Sequence, residues 1–80
     1  MIYGILAMKN YTFTIVYERD EDGRIIALCP GLQGCYAEGD TEEEARANIR
    51  EAIEAHIESH IAHGDPIHTE IHSEAISLAL

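Results

Sequence analysis

Eighty residues, 46% of them hydrophobic, describe one folded domain rather than a disordered segment. Five Lys and Arg against fifteen Asp and Glu leave a net charge of −10, which excludes a protein that grips nucleic acid by neutralising phosphates and disfavours anionic membranes. A chain this short buries only about 60–65% of its unfolded surface, so the core is thin and self-association, as a homodimer or tetramer, is expected.

Residues 1–7 are apolar but lack the charged flank and length of a secretory leader, and no spanning segment follows. A cytoplasmic protein is expected, with Cys29 and Cys35 reduced. The whole chain reads as a single domain whose core covers residues 9–80. Residues 1–8 are then a leader or a short extra strand, with Met8 as an alternative start.

Residues 11–18 alternate. Tyr11, Phe13, Ile15 and Tyr17 share one face, and Thr12, Thr14, Val16 and Glu18 the other, which predicts a strand with one buried side. Arg19-Asp20-Glu21-Asp22-Gly23 predicts a hairpin turn, because Asp-Gly supplies the positive φ that such loops require. Residues 24–29 predict a second strand, apolar on both faces. Pro30-Gly31-Leu32-Gln33-Gly34 interrupts it, since proline cannot donate to a ladder. Residues 35–38 predict a short third strand, completing a meander.

Gly39-Asp40-Thr41 ends the sheet and opens a helix. Thr41 followed by Glu44 is a capping box, and Glu42, Glu43 and Glu44 favour the positive end of the helix dipole. The helix is expected to run to about His63, with Gly64 as its C-cap and Pro66 beyond. At about 100° per residue, Ala45, Ile49, Ala52, Ile53 and Ile57 gather on one arc, with Glu51, Glu54 and Glu58 opposite. Residues 74–80 alternate again, Ile76, Leu78 and Leu80 against Ala75, Ser77 and Ala79. A fourth strand is expected there, parallel to an earlier one by the right-handed crossover rule. The fold class is therefore α+β, in the order β-β-β-α-β.

Read in order, four pieces resemble the HicB-like antitoxin family. They are Phe13-Thr-Ile-Val-Tyr-Glu18, Asp20-Glu-Asp-Gly23, Ala27-Leu-Cys-Pro-Gly-Leu-Gln-Gly34, and Gly39-Asp-Thr-Glu-Glu-Glu-Ala45 with Asn48-Ile-Arg-Glu-Ala52. The resemblance implies a partial ribonuclease-H-like fold, and an antitoxin that docks on and neutralises HicA, a small basic toxin that cleaves mRNA. Longer family members carry a C-terminal DNA-binding segment. Residues 1–80 contain none, so no direct nucleic-acid binding by this chain is expected.

Toward a basic toxin, the negative charge gains a use, because complementary fields speed and orient encounter. The candidate partner-binding residues are Asp20, Glu21 and Asp22 of the acidic turn and Glu51, Glu54 and Glu58 of the exposed helix face. Against this stands the plainer reading, in which both are solvated surface.

The alternative function is a small homo-oligomeric metal or ligand binder. His56, His60 and His63 fall within about 60° of helical arc, the spacing at which imidazoles share zinc or another transition metal. His68 and His72 follow, and Asp65 or Glu70 would add oxygen ligands. The competing reading is a polar border to the apolar stripe, which needs no cofactor. Cys29 and Cys35 flank a turn as small apolar side chains, being too few for a structural zinc site. Asp20-x-Asp22-Gly23 fails as a calcium loop because Gly31 stands where a Glu is required. No inward carboxylate pair supports metal-dependent nuclease chemistry, so no catalytic residue is expected and the protein is read as a non-enzyme.

Overall fold

The computed structural model describes residues 10–80, and the expectations for residues 1–8 lie outside them. Three strands form one antiparallel sheet in the order β1-β2-β3: β1 (Val16–Arg19), β2 (Ile25–Leu28) and β3 (Tyr36–Gly39). The Asp-Gly turn behaves as its residues demand. Gly23 takes φ 84°, and Asp20 Oδ1 accepts the backbone N–H groups of Asp22 and Arg24, each at 2.9 Å.

The first strand is shorter than its alternation predicts. The ladder begins at Val16, opposite Leu28, because the chain turns away at Pro30 and β2 offers nothing further to pair with. The expected face survives nonetheless. Phe13, Ile15 and Tyr17 all pack on the core, and Tyr17 lies in register with Ala27, which in turn faces Ala37.

The helix α1 (Glu42–His63) has the ends its sequence encodes. Thr41 is extended, at φ −128° and ψ 163°; its hydroxyl accepts the Glu44 N–H at 3.1 Å, while Glu44 Oε1 accepts the Asp40 N–H at 3.1 Å. Two otherwise orphaned donors are satisfied, and a side-chain cap of this kind is worth about 1 kcal/mol. At the far end Gly64 adopts φ 71°. Its N–H reaches Ile61 O at 3.2 Å and the Asp65 N–H reaches His60 O at 2.9 Å, the paired closure of a Schellman end.

The helix lies across β2 and β3. Ala45 and Ile49 are buried against Ile25, Ala27, Cys29, Leu32 and Cys35, with Ala52 and Ile53 packed at the margin. Gly39 sets how closely helix and sheet approach. A Cβ there would stand 2.5 Å from the Ala45 backbone nitrogen and 2.9 Å from the Glu44 carbonyl carbon, so the chain can pass only without a side chain. Among the described residues the other face of the sheet carries no helix. Val16, Leu28 and Tyr36 form a row across it, with Val16 and Tyr36 exposed.

Residues 65–80 form neither helix nor strand. The expected fourth strand over 74–80 is thus not formed, and the ribonuclease-H-like completion that depends on it is not shown. One contact ties this segment to the sheet. Glu70 accepts from the Thr14 backbone N–H at 2.9 Å through Oε2 and from the Thr14 hydroxyl through Oε1. Past that clasp the chain has no strand partner among the described residues.

Candidate partner-docking surface

The two acidic groups expected to meet a partner sit on different parts of the molecule. In the β1–β2 turn, the Asp20 carboxylate closes its own loop through Asp22 and Arg24, so its role there is structural as well as electrostatic. Glu21 and Asp22 are exposed beside it. The antiparallel register puts this turn at the same end of the sheet as the β3–α1 junction, since Ile25 faces Gly39.

Arg24 joins the two turns. Its Nε lies 3.3 Å from Glu38 Oε1 and its Nη1 lies 2.7 Å from Asp40 Oδ1. Both pairs are solvated and contribute about 0–1 kcal/mol each, so the guanidinium orients the loops more than it stabilises them. It leaves this pole strongly negative, because Glu42 and Glu43 in the first helical turn and Glu21 and Asp22 at the hairpin tip share that end. Asn48 braces the junction from the helix, donating to Glu38 O at 2.8 Å.

Glu51, Glu54 and Glu58 form a separate stripe. All three are exposed on the side of α1 opposite Ala45 and Ile49, and Glu54 Oε1 lies 3.5 Å from Arg50 Nε. A partner engaging turn and stripe together must therefore wrap from the helix start along its outer face.

The histidines lie on the inner arc. His56 and His60 continue the line of Ala45, Ile49 and Ala52 and are half-buried, whereas His63 is exposed. Each ring bonds the carbonyl four residues back through Nδ1: His56 to Ala52 O at 3.0 Å, His60 to His56 O and His63 to Ser59 O at 2.7 Å. A carbonyl can only accept, so in these contacts it is Nδ1 that carries a proton and donates. The rings of His56 and His60 stack with centroids 6.5 Å apart. Among the described residues no three His, Cys, Asp or Glu side chains converge as a metal site. Asp65 and His68 instead line a cleft with His60, Pro30 and Gln33, and Glu70 is engaged by Thr14.

Cys29 and Cys35 are free, buried thiols facing each other across the turn that follows β2, with the Cys29 N–H on Cys35 O at 3.0 Å. Burial pushes both thiols up; Cys29 raises Cys35 further by its charge and hydrogen bond, whereas the hydrogen bond from Cys35 and the backbone N–H groups of Gly31 and Leu32 only partly offset the rise at Cys29, so both are protonated at neutral pH. They act here as small core side chains. No described helix is long and apolar enough to cross a membrane.

Taken together, the three-stranded meander, the Cys-Pro-Gly-Leu-Gln-Gly-Cys turn and the capped acidic helix fall within one stretch, residues 13–78, that matches the family described as the HicB_like antitoxin of bacterial toxin-antitoxin system. The chain belongs to the HicB-like antitoxin family. It is 50% identical over 60 residues to a UPF0150 protein of Synechocystis sp., covering 75% of this chain and 76% of the relative. A UPF0150 protein of Thermoplasma acidophilum is 44% identical over 55 residues, covering 69% of this chain and 80% of the relative. No solved structure matches this HicB-like chain.

Two features of the site escape sequence reasoning. The Arg24 bridge joins positions 14 and 16 residues apart, and the Glu70–Thr14 clasp joins positions 56 apart. Neither separation has a periodicity that could announce it, although Arg24 between two acidic turns is a weak compositional hint.

Proposed function

We propose that this HicB-like chain is the neutralising component of a toxin–antitoxin pair, docking on a small basic mRNA-cleaving toxin of the HicA type in the cytoplasm and covering its cleavage site. The observation that carries the reading is the family match across residues 13–78, and the charge distribution supports it. A net charge of −10, concentrated at the turn pole and along Glu51, Glu54 and Glu58, suits a cationic partner whose own function requires it to bind RNA phosphates. Such a protein occludes rather than catalyses, and it needs no cofactor.

Co-expression with a small basic protein encoded beside it is the direct test. Toxicity of the neighbour should be suppressed and the two should co-purify. Replacing Glu51, Glu54 and Glu58 with Lys should slow association by at least about 10-fold at low salt, with the difference shrinking as salt screens the fields. A basic neighbour that is neither bound nor inhibited would overturn the function. Binding that ignores both the substitutions and the salt would overturn the docking surface alone.

A further inference from the structure

Cys29 and Cys35 lie outside both acidic surfaces, and strand register makes them a pair. Ile25 faces Gly39, Ala27 faces Ala37 and Leu28 faces Tyr36, so one further step sets Cys29 directly opposite Cys35. The Cys29 N–H donates to Cys35 O at 3.0 Å, the mark of a hydrogen-bonded antiparallel pair, in which Cα atoms stand about 5.5 Å apart. A disulfide requires a Cα separation of about 4.4–6.8 Å and Cβ atoms that point the same way. Both conditions are met. Ile25, Ala27 and Cys29 alternate onto the face that α1 covers, and Cys35 is buried in the same cluster. The two thiols are close enough to share a hydrogen bond, yet both are free.

Their surroundings give the two sulfurs different roles. The backbone N–H groups of Gly31 and Leu32 favour negative charge on Cys29, whereas at Cys35 the hydrogen bond with Cys29 disfavours it. Cys29 is therefore the better nucleophile. Both side chains also line a cavity of about 340 Å³ with Leu28, Pro30, Gln33 and Tyr36, a space that admits a molecule as small as hydrogen peroxide.

We propose that Cys29 and Cys35 form a reversible disulfide when hydrogen peroxide oxidises Cys29, locking the turn between β2 and β3. The Cys29 thiolate attacks one peroxide oxygen and the O–O bond breaks. Cys29 becomes a sulfenic acid, and the departing hydroxide takes up the proton that the thiol gave up, leaving as water. Cys35 sulfur then attacks the sulfenic sulfur. The S–S bond forms, the S–O bond breaks, and the second hydroxide leaves as water with the Cys35 proton. Two electrons pass from the sulfur pair to one peroxide, and a dithiol reductant returns them. Because Cys35 already touches Cys29, capture of the sulfenic acid outruns its further oxidation. The bridge closes the loop of residues 29–35 and restricts the unfolded chain, so the oxidised protein is harder to unfold. None of this depends on the toxin, since every readout is taken on the protein alone.

The purified, reduced full chain is treated with a small excess of hydrogen peroxide and digested with trypsin. Peptide 25–46 holds both cysteines and no methionine, so its mass reports the thiols alone. It should lose about 2 Da and all reactivity toward an alkylating agent, and dithiothreitol should restore both. The rate should rise about 10-fold per pH unit near neutrality, because only the minor thiolate attacks. The oxidised chain should melt about 5–15 °C above the reduced one. Cys35→Ala should stop at a sulfenic acid that dimedone traps, while Cys29→Ala should react at least about 10-fold more slowly. The wild-type peptide needs no variant to fold. If it keeps its reduced mass, gains oxygen without cross-linking, or cross-links only between chains, the disulfide is overturned. Equal midpoints for the two forms would overturn the lock, and a faster Cys29→Ala would overturn the assigned roles.

Discussion

Replacing Gly39 with alanine tests how the sheet and helix are joined. The added Cβ would meet the Ala45 nitrogen at 2.5 Å and the Glu44 carbonyl carbon and Cβ at 2.9 Å. Two of those three atoms are backbone of the first helical turn, which cannot swing aside as a side-chain tip can. Relief requires lifting α1 off β3, which would loosen Ala45 and Ile49 from the core. Overpacking in a closely packed site costs about 1–3 kcal/mol, and the rigidity of this one places it at about 3 kcal/mol. An 80-residue domain holds only about 4–12 kcal/mol in total, so the loss is a large share. With an unfolding entropy of about 0.17 kcal/mol/K for this length, the midpoint should fall by roughly 15–20 °C in a far-UV circular dichroism melt. Gly34→Ala is the control. It has open space around its Cβ but φ 75°, so its cost is conformational, about 1–2 kcal/mol. A Gly39→Ala midpoint within a few degrees of wild type, or a smaller loss than at Gly34, would refute the close approach of helix and sheet.

Two further outcomes follow from the tail and the histidines. The Thr14 hydroxyl, and then its backbone N–H, hold the Glu70 carboxyl below the usual carboxylate range. Since the folded value lies below the unfolded one, the clasp contributes fully above the ordinary glutamate pKa of about 4.3 and is lost as pH falls through the lowered value. The protection of the Thr14 amide, its exchange rate relative to the intrinsic rate at the same pH, should therefore fall in acid, Glu70→Ala should lack that protection at every pH, and a Thr14 amide whose protection is indifferent to both would remove the clasp from the description. Removing metal with a chelator, or adding Zn²⁺, should leave the melting midpoint unchanged, because no three ligands converge among the described residues. A reproducible upward shift with Zn²⁺ that is lost in His56→Ala or His60→Ala would restore the histidine cluster as a metal site.

Local chemistry made most of the architecture legible. Asp20 and Gly23 specify a hairpin by their own hydrogen bonding and φ, and Thr41, Glu44 and Gly64 cap a helix wherever it packs. The alternation of Phe13, Ile15 and Tyr17 identified the core face even where the ladder itself did not extend. Sequence order supplied the family as well, through motifs that are individually weak. For the candidate site the residues could be nominated but not assembled. That the acidic turn sits beside the helix start, with the Glu51 stripe apart from it, depends on strand register.

What the sequence alone determined is therefore the set of elements, their ends and their buried faces, because each rests on contacts within a few residues. Tertiary structure decided the rest. Gly39 reads from sequence as a break between elements, and only the 2.5 Å approach of the helix backbone shows why no side chain fits there. Residues 74–80 have the alternation of a strand, but a strand is completed by a neighbour's backbone, and among the described residues none pairs with them. Periodicity can propose such a segment; a partner edge has to accept it.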